Sequence, residues 1–340
     1  MRIFFVLWLG LVRSAGVRES TCDDQNEAPS LLMKSLTLGS GLKLRVPKSK
    51  VPKPHSGQVL IEVHDASILN IDTYSTYGVP LGHEASGLVV QSGGGKLADS
   101  LLHKRVARLV RITTAGAWAD YLIAPAEECV VLSDNLSYAD GATMTNAMTL
   151  GIAMHLISPR TSVVMTVPLS GLGRLASAWL KLKGMHCIRI VHKQEYVEKL
   201  HRETDEPVLY SGSPDFVQRL RSLCRQHNVT AAFEMVGGTL SEQIFAALQP
   251  GAVHVQIGFM EAWSVPRSEK DKRAELLMLL EWVERHPAKA ATILREVSSV
   301  LPTLTASDPL RIFSVSNCSE ALSFYLSNRS KTRVQIQFRA

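Results

Sequence analysis

The spacing of apolar positions changes character close to residue 160. From Leu31 to about Ser158, apolar residues come in short runs separated by turn formers. Val59-Leu60-Ile61-Glu62-Val63 follows Pro52, Pro54 and the pair Ser56-Gly57; Gly87-Leu88-Val89-Val90 and Arg105-Val106-Ala107-Arg108-Leu109-Val110 have the same character. Aliphatic runs bounded by glycine, proline and serine predict strands, so residues 31–158 read as an irregular, mostly β domain. Beyond residue 160, two periods alternate. Val163-Val164-Met165-Thr166-Val167 is a continuous run of strand length, and after the turn Ser170-Gly171-Leu172-Gly173 the positions Leu172, Leu175, Ala176, Trp179 and Leu180 recur at the spacing of one helix face. Further strands follow at residues 187–191, 208–210, 231–235 and 252–257. Between them, helices are predicted through Val197 and Leu200, along Phe216, Leu220, Leu223 and Cys224, and around Ile244 and Leu248. Strands alternating with helices predict a parallel, doubly wound sheet, which places the chain in the α/β class.

In such a sheet the turn after the first strand is where phosphates settle, because the N–H groups of the next helix point outward there. The usual pattern is G-x-G-x-x-G. Here it reads Pro168-Leu169-Ser170-Gly171-Leu172-Gly173, with only the last glycine retained. An ordinary strand–helix turn is the alternative reading. The periodic helix starting at the turn, and a second strand ending about twenty residues on, favour a dinucleotide, with Ser170, Gly171 and Gly173 as candidate contacts. That second strand ends Val191-His192-Lys193, with no acid at its tip. A ribose 2′-hydroxyl is usually held by a carboxylate there and a 2′-phosphate by a cation, so Lys193 with His192 points to NADPH as cofactor. Glu195 is near enough to compete for the lysine.

Composition narrows the class further. In 340 residues, 46% hydrophobic and 20% charged, the profile is that of a globular protein of two medium domains, not a disordered tail, a fibre or a polytopic membrane protein. The five cysteines contain no C-x-x-C pair, which excludes a zinc ribbon and gives no disulfide framework. The net charge of +6 has no dense basic run behind it and fits an anionic small ligand better than nucleic acid. Part of it sits in residues 1–20, where Arg2 precedes an apolar run from Ile3 to Val12 and Arg13-Ser14-Ala15-Gly16 follows. This reads as a targeting leader, too short to span a bilayer, leading through a polar linker at 21–30. A secretory signal and an organelle presequence are both compatible with it, and no membrane span is expected in the mature chain.

Several segments, taken in order, resemble the medium-chain dehydrogenase/reductase superfamily. They are Pro80-Leu81-Gly82-His83-Glu84-Ala85-Ser86-Gly87, Gly116-Ala117-Trp118-Ala119-Asp120-Tyr121, Ser133-Asp134-Asn135-Leu136-Ser137, Asn146-Ala147-Met148-Thr149 and Phe233-Glu234-Met235-Val236-Gly237-Gly238. The branch most similar is that of the zinc-independent quinone oxidoreductases and mitochondrial 2-enoyl thioester reductases, over most of Leu31 to Ala340. The resemblance implies a GroES-like catalytic domain (31–158), a Rossmann NADP-binding domain (159–285) and a C-terminal segment (286–340) that returns to the catalytic domain, most visibly at Phe313–Phe338. It also implies a homodimer, paired through a sheet edge, and favours a mitochondrial address for the leader.

Gly82-His83-Glu84 also occurs in zinc alcohol dehydrogenases, where the histidine is a ligand. The loop around Asn70 lacks the accompanying cysteine, and one histidine cannot hold a zinc that needs three protein ligands, so no metal is expected. In the enoyl reductase branch, hydride goes to the β-carbon of an activated C=C bond, the enolate oxygen needs donors, and the α-carbon takes a proton from a tyrosine. Asn70-Ile71-Asp72 stands in the place of the family's Asn-Pro-Ser-Asp loop, one residue short, followed by Tyr74 and Tyr77. Either hydroxyl fits the donor role, Tyr77 being slightly preferred. The match further implies Asn146 and Thr149 along the nicotinamide ribose, Tyr210 near the adenine end, and Gly258 and Phe259 in a loop after the sixth strand, under the nicotinamide. The expected activity is NADPH-dependent reduction of an enoyl thioester. Alternatives are quinone or enone reduction, or, given the shortened stretch Tyr74–Leu81, a catalytically silent nucleotide- or RNA-binding member.

Overall fold

The computed structural model describes residues 32–38, 44–74, 81–109, 116–158, 162–258, 265–306, 308–328 and 332–339. The expected leader (1–20) and linker (21–30) lie outside these residues, as do Tyr77 and Phe259.

The first part of the chain is a β domain. Two small antiparallel pairs, β1 (Leu32–Lys34) with β4 (Lys48–Lys50) and β2 (Thr37–Leu38) with β3 (Leu44–Arg45), precede the main sheet. That sheet contains β5 (Gln58–Ser67), β6 (Ala85–Ser92), β7 (Arg105–Arg108), β8 (Tyr121–Pro125) and β9 (Cys129–Val131), and it carries the short helices α1 (Lys96–Ser100) and α2 (Tyr138–Gly141) in its connections. Val59, Ile61 and Val63 of β5 alternate inward and are fully buried with Val89 and Val106, as the period of a strand requires.

The second part is the parallel sheet. β10 (Ser162–Thr166), β11 (Cys187–Val191), β12 (Val208–Tyr210), β13 (Val229–Glu234), β14 (Val253–Gln256) and β15 (Arg273–Leu276) lie in the order β12-β11-β10-β13-β14-β15, every pairing parallel. Order 3-2-1-4-5-6 reverses direction between β10 and β13 and opens a crevice at the carboxyl ends of the strands there. The helices α3 (Met144–His155), α4 (Gly171–Leu182), α5 (Gln194–His201), α6 (Phe216–Gln226) and α7 (Gly238–Ala247) fill the two faces. One face packs through Val163, Met165, Leu175, Trp179 and Phe233, the other through Val164, Ile188, Leu209, Leu220 and Ile244.

Two boundaries differ from the sequence expectation. After α8 (Leu279–Arg285), helix α9 (Pro287–Thr305) does not return to the catalytic domain. Its Ile293, Val297, Leu301 and Leu304 join the core that holds β10 and α4. Gly151 of α3 is the point of closest approach, since a Cβ there would lie 2.7 Å from Ile293 Cγ2 and 2.8 Å from Val297 Cγ2. Only β16 (Leu310–Ser314), α10 (Cys318–Asn328) and β17 (Arg333–Gln337) return, with β17 antiparallel to β5 and parallel to β16. Helix α3, read as part of the first domain, shares this same nucleotide-side core. The sixth parallel strand, β15, is an edge strand with exposed or half-buried side chains, so Gly258 follows the fifth strand and not the sixth. Among the described residues no helix is long and apolar enough to cross a membrane.

Candidate active site

The phosphate turn is built from one unusual backbone and one glycine. Val167 follows β10 with φ 42°, a left-handed conformation that is strained for a β-branched residue. Its carbonyl turns onto Gly173, where a side chain would clash with that oxygen and stand 2.8 Å from Pro168 Cα. Gly173 is therefore required by close approach of helix to strand, the role of the third glycine in the dinucleotide pattern. Ser170 is the N-cap of α4: its hydroxyl accepts from Gly173 N at 3.0 Å and donates to Val167 O at 2.9 Å. A cap of this kind is worth about 1 kcal/mol. The serine side chain is thus spent on the helix, and the outward N–H groups of its first turn are what remains for a phosphate.

Next to this turn, Val167, Pro168, Leu169, Ser170, Val191, His192 and Tyr196 line a small depression. Ser170 and His192, singled out from different parts of the sequence, meet there. Tyr196 was missed, although its place four residues after His192 on the first turn of α5 was a usable signal. His192 packs edge-on to Tyr196 with ring centroids 5.4 Å apart, and Lys193 Nζ sits 5.6 Å from the same ring. Lys193 also pairs with Glu195 at 3.8 Å, but both are more than half exposed, so the pair is loose and worth little. The lysine is accordingly available to an anion. Tyr210, half-buried at the end of β12, packs against Gly212.

The other half of the site gathers where the two parts of the chain meet. Glu84 is fully buried and accepts from Thr145 N at 2.6 Å, in the first turn of α3. Its second oxygen has no partner. Burial, opposed by the Thr145 contacts, pushes this carboxyl up to about 8, so it is mostly protonated at neutral pH. The same helix carries Asn146, half-buried, and Thr149, buried. His83 Nδ1 lies 2.6 Å from Asp72 Oδ1, and Asp72 Oδ2 accepts from Leu69 N at 2.6 Å. Burial raises the Asp72 carboxyl, while these contacts hold it back. Arg108, 2% exposed, donates to Glu128 and, through Nη1, to the His83 carbonyl at 2.6 Å. At the crevice, Glu234 closes the turn after β13 by accepting from Val236 N and Gly237 N, each at 2.8 Å. A side chain on Gly258 would come within 3.2 Å of Met235 O in that turn.

Of the expected proton-transfer residues, Asn70 begins the 3₁₀ turn Asn70–Tyr74 and its carbonyl accepts from Thr73 Oγ1 at 2.7 Å. Tyr74 closes that turn, and Tyr77 lies outside the described residues, so the choice between the two hydroxyls stays open. Among the described residues, no group of three or more His, Cys, Asp or Glu is arranged to hold a metal ion. Asp72, His83, Glu84 and Arg108 form a connected polar cluster that the sequence did not announce.

No protein-family model matches the sequence, and no curated protein matches it. Solved structures do match the fold over nearly its whole length. A protein of Mesorhizobium loti assigned as an NADPH:quinone reductase is 25% identical, with a TM-score of 0.74, over 92% of this chain and all of that one. A 2-haloacrylate reductase superposes with a TM-score of 0.77 at 17% identity, covering 91% of this chain and 100% of its own. A mycobacterial protein complexed with NADPH gives 0.72 at 18% identity, covering 90% and 100%. The chain has the two-domain fold of the medium-chain dehydrogenase/reductase superfamily, a GroES-like domain joined to a Rossmann domain, and its structural neighbours include quinone and enoyl reductases.

Proposed function

We propose that the chain is an NADPH-dependent, zinc-free oxidoreductase that reduces an activated C=C bond, with a 2-enoyl thioester as substrate. The observation that carries the cofactor half is the turn in which Gly173 presses on the Val167 carbonyl beside a strand end that bears Lys193 and no acid. A cofactor phosphate fits the first turn of α4, and a 2′-phosphate fits Lys193 and His192. NADPH, when bound, supplies a hydride. What this chain contributes is position and polarity: Asn146 and Thr149 project from α3, whose first turn is held by a neutral Glu84. Donors aimed at an enolate oxygen stabilise the charge that develops as the double bond is reduced.

Quinone reduction is the second reading, favoured by the Mesorhizobium loti neighbour. The two are separated by acceptor. Reduction of an enoyl thioester needs a proton at the α-carbon, whereas a quinone takes hydride without one. Titration with NADPH and NADH, followed by nicotinamide fluorescence, comes first. Selective NADPH binding that Lys193→Glu weakens about 10- to 100-fold is the expected result, followed by turnover of a 2-enoyl-CoA. Binding of neither nucleotide refutes the proposal.

A further inference from the structure

We propose that His83, oriented by Asp72, is the general acid that protonates the α-carbon of the substrate. The inference rests on the enoyl reduction proposed above and deepens it. The tyrosines of the neighbouring loop were the expected donors. Beside that loop the structure holds an aspartate–histidine pair, one partner in the turn Asn70–Tyr74 and the other next to Glu84.

Four observations carry the assignment. Asp72 holds Nδ1 at 2.6 Å while its own second oxygen is fixed by Leu69 N–H, so the imidazole is locked by one ring nitrogen. A carboxylate at Nδ1 fixes the proton there and leaves Nε2 as the nitrogen that exchanges protons, the arrangement used wherever a histidine works as acid or base. Nε2 of His83 has no hydrogen-bond partner among the described residues, and the side chain keeps 7% of its surface open. The backbone under the ring is pinned too, through Arg108 Nη1 on the His83 carbonyl at 2.6 Å. Finally, the next residue, Glu84, is bonded to the first turn of the helix that carries Asn146 and Thr149. The pair therefore stands beside the elements assigned to the nicotinamide.

The step balances as follows. Hydride from NADPH forms the C–H bond at the β-carbon, and the π pair moves toward the α-carbon and the thioester oxygen. The Nε2–H bond of the imidazolium breaks and its proton goes to the α-carbon. The alkene is reduced, NADPH becomes NADP⁺, and the imidazole regains a proton from water. The charged or titratable groups next to His83 are Asp72 on its ring, Arg108 with Glu128 under its carbonyl, and Glu84, which in turn feels Asp72 and Arg333 of β17.

The test compares the wild type with His83→Gln and Asp72→Asn. In the wild type, kcat for a 2-enoyl-CoA should fall along a single limb as pH rises and the general acid loses its proton. His83→Gln should lower that kcat by a factor on the order of 100 to 10,000 and remove the limb, leaving the NADPH Kd unchanged. Independently of turnover, ¹⁵N NMR of the cofactor-free protein should show the neutral His83 ring as a single Nδ1–H tautomer that Asp72→Asn turns into a mixture. A limb that survives His83→Gln belongs to Glu84 or a tyrosine and overturns the proposal. So does a wild-type His83 ring that is already a mixture of tautomers. If the wild type turns over no enoyl substrate yet reduces quinones, the substrate assignment has failed, while the NMR outcome still judges the pair.

Discussion

Glu84→Gln gives the most quantitative check on the architecture of the domain junction. Burial holds this carboxyl at about 8 in the native state against 4.5 when exposed. The folded protein therefore keeps a proton that the unfolded chain releases. The contribution is complete below the unfolded value, is lost progressively as pH rises from 4.5 to about 8, and is constant above that. A tenfold difference in proton affinity between the folded and unfolded states corresponds to about 1.4 kcal/mol, so between about pH 5 and about pH 8.5 the carboxyl alone should cost the wild type roughly 3 to 4 kcal/mol. Glutamine has nearly the same shape, is neutral at every pH, and its carbonyl can still accept from Thr145 N. The second oxygen has no partner in the wild type, so the amide nitrogen replacing it breaks no bond. Urea denaturation of both proteins across this range should give curves of stability against pH that diverge by that amount, the variant being the more stable at the alkaline end. All other groups are shared and cancel in the difference. Parallel curves, within about 0.5 kcal/mol, would refute the reasoning and mean that Glu84 is solvated or paired in its ionised form.

Other outcomes follow from single contacts. Gly82 has φ 89° and a Cβ there would lie 2.6 Å from Trp118 N, so Gly82→Ala should lose about 2–4 kcal/mol by strain and overlap together, read as a lowered urea midpoint. Arg108→Met leaves Glu128 buried without its partner and should destabilise by about 3–5 kcal/mol, whereas the double change with Glu128→Leu should recover most of that in a double-mutant cycle. Lys193→Glu should raise the NADPH Kd about 10- to 100-fold, the loss of one charge-assisted contact, and leave NADH unaffected in fluorescence titration. Gly173→Ala should push α4 off the Val167 carbonyl and weaken both nucleotides alike, which separates a damaged phosphate turn from a lost 2′-phosphate contact.

The elements around the candidate phosphate turn were legible because they are local. The strand, the turn through Gly173 and the helix stripe Leu175, Ala176, Trp179 and Leu180 follow one another within a single stretch of chain, and Lys193 lies just past the very next strand. Periodicity and spacing report such neighbours directly. The same signals told nothing of partners. The stripe Ile293, Val297, Leu301 and Leu304 announces a buried helix face but not that it is buried on α3 and α4, which misplaced the domain boundary. β15 escaped because an edge strand reading Arg-Ala-Glu-Leu has no apolar run to detect.

The chemical half depends on polar groups whose partners are distant in sequence. Arg108 looks like the solvent face of a strand, yet it is buried against Glu128. Asp72 meets His83 across a turn, and Glu84 is neutralised by burial next to Thr145 on a different element. A buried charge is tolerated only with such partners, so each member of this cluster fixes where another can sit. In the Gly82-His83-Glu84 segment the histidine is thus held through Nδ1 by Asp72, and the glutamate is held by the first turn of α3.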